Sequence, residues 1–122
     1  MMEHLPAGSH LLADLYGIAA NALRDEGAIE ALLVRSARAA GATVLSSHFH
    51  RFGAGEGVTG VVVLAESHIT IHTWPEHGYA AADIFMCGQA RPQVALDVLL
   101  TAFDPESSEV KTVERGMASV TA

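Results

Sequence analysis

The sequence predicts an α+β domain: a two-layer α/β sandwich, with two helices on one face of a mostly antiparallel sheet. Two stretches, 21–40 and 91–103, carry apolar residues at helical spacing. The remaining apolar runs are short, alternate in period two or are β-branched, and are punctuated by glycine and proline. The order is strand, helix, several strands, helix, strand. With 122 residues, half of them hydrophobic and 17% charged, the chain reads as one packed domain over 1–122. A domain of that size buries roughly two-thirds of the surface its unfolded chain exposes.

Each element has a local reason. His10 to Ile18 (HLLADLYGI) mixes Leu, Tyr and Ile with polar breaks, and reads as a strand ending near Gly17. Asn21 to Ala40 is rich in Ala, Leu, Glu and Arg. It repeats Ile29, Leu32, Leu33 and Ser36-Ala37 on one helical face, and Gly41 follows as a C-terminal cap. Ala42 to Phe52 is the next strand, and Gly53, Gly55 and Gly57 break it into a turn. Val58 to Leu64 (VTGVVVL) is almost wholly apolar, which predicts a strand covered on both faces. Ser67 to Thr73 alternates and stops at Trp74-Pro75, and Tyr79 to Phe85 is a further strand. Pro92 opens a second amphipathic helix, Arg91 to Phe103, where a first-turn proline is tolerated. Ser107 to Glu114 reads as an edge strand, and 116–122 as a loose end.

Composition narrows the function. Fourteen acidic against seven basic residues give a formal charge of −7, which argues against nucleic acid, whose phosphates need a basic face. The same field favours a cationic ligand near a cleft. No apolar run reaches the ~20 residues that span a bilayer. The start, Met-Met-Glu-His-Leu-Pro, lacks the pattern of a signal peptide. A single cysteine, Cys87, fits a reducing compartment. A cytoplasmic protein without membrane attachment is expected.

The densest chemistry lies in Glu66-Ser67-His68-Ile69-Thr70-Ile71-His72-Thr73-Trp74-Pro75-Glu76. Five of the seven histidines fall between His48 and His77, so a histidine metal site is one reading, although no HExxH or CxxC spacing supports it. A serine hydrolase is another. However, strand parity places Ser67 and His72 on opposite faces, and five residues of strand hold them ~16 Å apart. A bulge or a second subunit would be needed to join them. Cys87, just past a strand and before Gly88, reads from its spacing as a small buried apolar residue, with a functional thiol as the second reading.

The ESHITIHTWPE run, with Ala82-Asp83-Ile84-Phe85-Met86-Cys87-Gly88, resembles the short prokaryotic S-adenosylmethionine decarboxylase proenzymes. The likeness extends through Gly8-Ser9-His10-Leu11-Leu12, Gly41-Ala42-Thr43, His48-Phe49-His50-Arg51-Phe52 and Gly57-Val58-Thr59-Gly60-Val61-Val62, and covers roughly residues 8 to 116. It implies a pyruvoyl-dependent carboxy-lyase acting on S-adenosylmethionine in spermidine biosynthesis. By resemblance, Ser67 attacks the Glu66 carbonyl in an N-to-O acyl shift. β-Elimination then yields a beta chain, 1–66, and an alpha chain, 67–122, headed by a pyruvoyl group. That covalent cofactor forms a Schiff base with the substrate and acts as the electron sink. The resemblance makes His72 the proton acceptor in processing, Thr59 its support and Cys87 the proton donor in catalysis. Phe52 and Glu76 match positions that bind the nucleoside, and no metal is implied.

Longer members of that family look like two fused copies, which implies that a short chain works as a homodimer. Ser67 and Cys87 of one subunit would then face Phe52, Thr59, His72 and Glu76 of the other. Three departures bear on this: Thr59 stands for a serine, Met86 for a threonine, and the Gly53–Gly57 turn is one residue longer. Relatives that decarboxylate arginine or ornithine give the alternative enzyme. A non-processing homologue and a histidine-rich metal binder are the alternatives outside that class.

Overall fold

The computed structural model describes residues 6–53 and 56–116, so the loose end expected at 116–122 lies, Gly116 apart, outside the described residues. Six strands form one sheet: β1 (Gly8–Tyr16), β2 (Val44–Arg51), β3 (Val58–Leu64), β4 (Ser67–Trp74), β5 (Tyr79–Cys87) and β6 (Ser107–Arg115). Their order is β2-β3-β4-β5-β1-β6, every neighbouring pair antiparallel. Strands β2 to β5 are a meander. The two long connections each carry one helix, α1 (Glu26–Ala39) and α2 (Pro92–Phe103).

The first helix starts later than its periodicity predicts. Ala20–Leu23 forms a short 3-10 turn that buries Leu23. The α-helix begins only after Asp25, whose side chain accepts the Ala28 N–H at 3.0 Å. An aspartate cap competes well with helix continuation, because it satisfies a donor that the first turn leaves orphaned. At the other end Gly41, with φ +87°, takes the left-handed conformation that ends the helix. The Arg91 N–H donates to the Ala40 carbonyl at 2.9 Å, pinning the start of α2 to the end of α1.

Both helices cover the same sheet face. Ile29, Leu32, Leu33 and Ala37 of α1, with Ala95, Leu96, Leu99 and Phe103 of α2, meet core residues from the sheet such as Leu11, Leu15, Val62, Ile69, Ile71 and Ile84. Thr73 is the buried polar tie. Its Oγ1 accepts the Val58 N–H and donates to the Leu23 carbonyl, both at 2.8 Å. The opposite face is open. There β3 departs from the expectation of two covered faces: Val58, Gly60, Val62 and Leu64 are buried, whereas Thr59 and Val61 are half-buried and Val63 is exposed. With both helices on one side, no described residue of this chain covers the other.

Candidate active site

Ala65 and Glu66 are the whole connection between β3 and β4, since Leu64 pairs with Ser67. Two-residue hairpins require positive φ, and here Glu66 supplies it at +62°. A residue with a Cβ held there is strained by about 1–2 kcal/mol. Ser67 begins β4 half-buried, and its Oγ accepts the Cys87 N–H at 3.2 Å. Cys87 closes β5 on the open face beside Gly8, where an added Cβ would lie 2.8 Å from its sulfur. The missing side chain of Gly8 is what leaves the thiol room. Burial and, secondly, the Glu66 carboxylate raise the Cys87 pKa, while Arg115 pulls it the other way. A thiol in that setting is held protonated.

A second group lies at the other end of β4. Thr59 and His72 are cross-strand partners, with Oγ1 and Nδ1 3.1 Å apart. His50 lies opposite Thr59, and His48, His50, Thr59, Val61, Thr70 and His72 line a shallow depression on the open face. Phe52 is exposed past the end of β2 and lies edge-on to His50, with ring centroids 4.7 Å apart. Trp74 bridges His72 and Tyr79, and Glu76 is exposed in the 3-10 turn Pro75–His77. The fold thus gathers Glu66, Ser67 and Cys87 in one place and Phe52, Thr59 and His72 in another. Five residues of strand, roughly 16 Å, separate Ser67 from His72. Parity separates them too: His72 is exposed on the open face, whereas Ser67 is in phase with the buried Ile69, Ile71 and Thr73.

Sequence reasoning gave no role to a third group. His10, Phe85 and His68 form one row across β1, β5 and β4 on the open face. His10 meets both other rings edge-on, at 6.0 Å from His68 and 5.7 Å from Phe85. The Arg115 guanidinium lies over Phe85 at 5.2 Å. The only signal that could have found the row is the β1–β5 register, which pairs residues some seventy-five positions apart. Among the described residues, no group of three or more His, Cys, Asp or Glu side chains is placed to hold a metal ion.

The family model for S-adenosylmethionine decarboxylase matches residues 9–116. A protein named S-adenosylmethionine decarboxylase proenzyme from Methanococcus maripaludis is 44% identical over 111 residues, 90% of either chain. One of the same name from Acetivibrio thermocellus is 45% identical, over 90% of this chain and 89% of its own. The crystal structure of adenosylmethionine decarboxylase from Aquifex aeolicus superposes with a TM-score of 0.82 at 40% identity, covering 94% of this chain and 93% of that one.

Proposed function

The chain belongs to the S-adenosylmethionine decarboxylase family, and from that premise we propose that it cuts its own Glu66–Ser67 bond and then decarboxylates S-adenosylmethionine. The family's proenzymes carry a pyruvoyl group formed from a serine by autocleavage, and the activity belongs to polyamine biosynthesis. The observation that carries the assignment of the serine is the turn itself. Ser67 follows a left-handed Glu66 and is hydrogen-bonded to the backbone of Cys87.

Those residues suit the group and its formation. Strain in the Glu66 backbone raises the energy of the peptide to be broken and is released by cleavage. The Cys87 N–H, donating to Ser67 Oγ, holds the hydroxyl in place beside the turn. Serine can serve both as the nucleophile and, once acylated, as the leaving group. The pyruvoyl group supplies an electrophilic carbonyl for the substrate's amine and an electron sink for the bond that loses CO₂. Cys87, its thiol kept protonated, returns a proton to the α-carbon. Phe52 stacks on the adenine and Glu76 bonds the ribose.

His72 serves as the processing base, with Thr59 fixing its ring through the 3.1 Å contact. Given the ~16 Å strand separation, its target on this reading is the Ser67 of a second copy. A two-fold homodimer through the open face answers this. That face exposes Leu12, Tyr16, Val63, Trp74 and Val113, each 36–46% accessible, an apolar patch of the kind that marks an interface. Charge is consistent with the substrate, since a net −7 favours a sulfonium cation. Among the described residues no helix is long and apolar enough to cross a membrane. Denaturing mass spectrometry tests the reading. Fragments 1–66 and 67–122, the second with a pyruvoyl terminus, are expected, and a chain that stays intact on prolonged incubation defeats it.

A further inference from the structure

The Nε2 of His10 is shut away from water and makes no hydrogen bond with any described residue. A buried polar atom left without a partner costs about 1–3 kcal/mol. A sheet face that keeps such an atom is shaped for a guest. The ring lies on the open face, in the row with Phe85 and His68, and His68 is the residue next to Ser67. The two imidazoles stand edge-on with centroids 6.0 Å apart, close enough for one substrate amine to meet either ring.

We propose that the His10–His68 pair removes the proton from the substrate's α-ammonium, freeing the amine to attack at residue 67. This deepens the reading above and rests on it. The N–H bond breaks, its electron pair stays on nitrogen, and the proton moves to an imidazole nitrogen. The freed pair forms the bond to the carbonyl carbon at residue 67. The carbonyl's π pair moves to oxygen; the imidazolium returns its proton there, the attacking nitrogen gives up a second, and the remaining C–O bond breaks as that oxygen departs as water. An α-amino group, with pKa about 8, is mostly protonated at neutral pH and cannot attack until it loses that proton.

The surroundings keep His68 neutral and ready. Burial lowers the His68 pKa, His10 and Arg115 lower it further, and Asp83 opposes them. Around the pair stand Asp83 and Cys87 from β5 and Arg115 from β6, with Val63 opposite His68 and Val113 opposite His10. Phe85 between the rings excludes water without offering a competing hydrogen bond. Arg115, held over Phe85, adds fixed positive charge.

The test uses the self-cleaved protein and its His10→Gln, His10→Asn and His68→Gln variants, with two readouts. One is kcat/KM across pH 6 to 8.5. The other, read by mass, is the rate at which hydroxylamine, an amine already unprotonated at neutral pH, adds to residue 67 of the 67–122 fragment. In the unsubstituted protein kcat/KM is expected to stay level from about 6.5 to 8. In each variant that cleaves, it should be at least tenfold lower at pH 6.5 and climb about tenfold per pH unit toward the amine pKa of about 8. Hydroxylamine capture should change less than twofold. A loss that is equal at every pH, a parallel slowing of hydroxylamine capture, or a climbing profile in the unsubstituted protein overturns the proposal. The last measurement needs no variant to fold. If hydroxylamine adds nothing to the unsubstituted protein, the reading of residue 67 itself fails, an outcome distinct from the others.

Discussion

Complementation between two dead variants tests the shared site directly. Ser67→Ala removes the serine proposed to be cut, and His72→Ala removes the proposed processing base. Neither variant should cleave alone. If Ser67 and His72 of one site come from different subunits, a heterodimer of the two variants holds one site lacking both groups and one site with both intact. Random pairing of equal amounts makes about half the dimers mixed, and each mixed dimer has one competent site. About one quarter of all chains, and half of the His72→Ala chains, should therefore split at 66/67. The strand geometry sets the opposing expectation. If a bulge or strand rearrangement closed the ~16 Å gap within one subunit, mixing would restore nothing. Co-expression with two tags, followed by intact-mass analysis, reads the fraction cleaved on each chain separately. A fraction near zero in verified heterodimers refutes the shared site, and cleavage by either variant alone refutes the residue roles.

Three further outcomes follow from the same contacts. Cys87→Ala should cleave at 66/67 yet decarboxylate at least tenfold more slowly. In the unsubstituted enzyme, the raised thiol pKa should hold turnover level to a higher pH than an ordinary thiol allows, seen as a delayed alkaline limb. Thr73→Val keeps the side-chain shape but strips partners from the Val58 N–H and the Leu23 carbonyl. It should lower unfolding free energy by about 2–4 kcal/mol, measured by urea titration, and an effect under 1 kcal/mol would show those groups find other partners. His68 has its folded pKa below the unfolded value of 6.5. The unfolded chain therefore binds the proton first, and this group's contribution is present above 6.5 and shrinks as pH falls through the unfolded pKa toward the folded one. His68→Gln should flatten the acid side of the stability profile, and an unchanged slope counts against a buried, neutral imidazole.

The sequence determined the fold class and most of its elements, because the signals are local. Period-two alternation in Ser67 to Thr73, the helical stripe through Ile29, Leu32 and Leu33, and Gly41 after the helix are all read within a few residues of themselves. It missed where local signals compete. Helical periodicity ran back to Asn21, but the Asp25 cap decides the start of α1. The apolar run of β3 suggested two covered faces, but composition cannot say whether the cover belongs to this subunit or another.

For the site, the motif around Ser67 was enough to indicate the family, and strand parity alone was enough to separate Ser67 from His72. Only the tertiary structure decided which distant residues stand beside each of them. Cross-strand neighbours depend on register, and register is set by the whole core packing against the helices. It put Cys87 N–H on Ser67, Thr59 on His72, and His10 in a row with His68. The stretch from Glu66 to Glu76 thus carries the family's motif, while the sheet, by aligning β1 and β5 beside it, decides which distant side chains stand next to that motif.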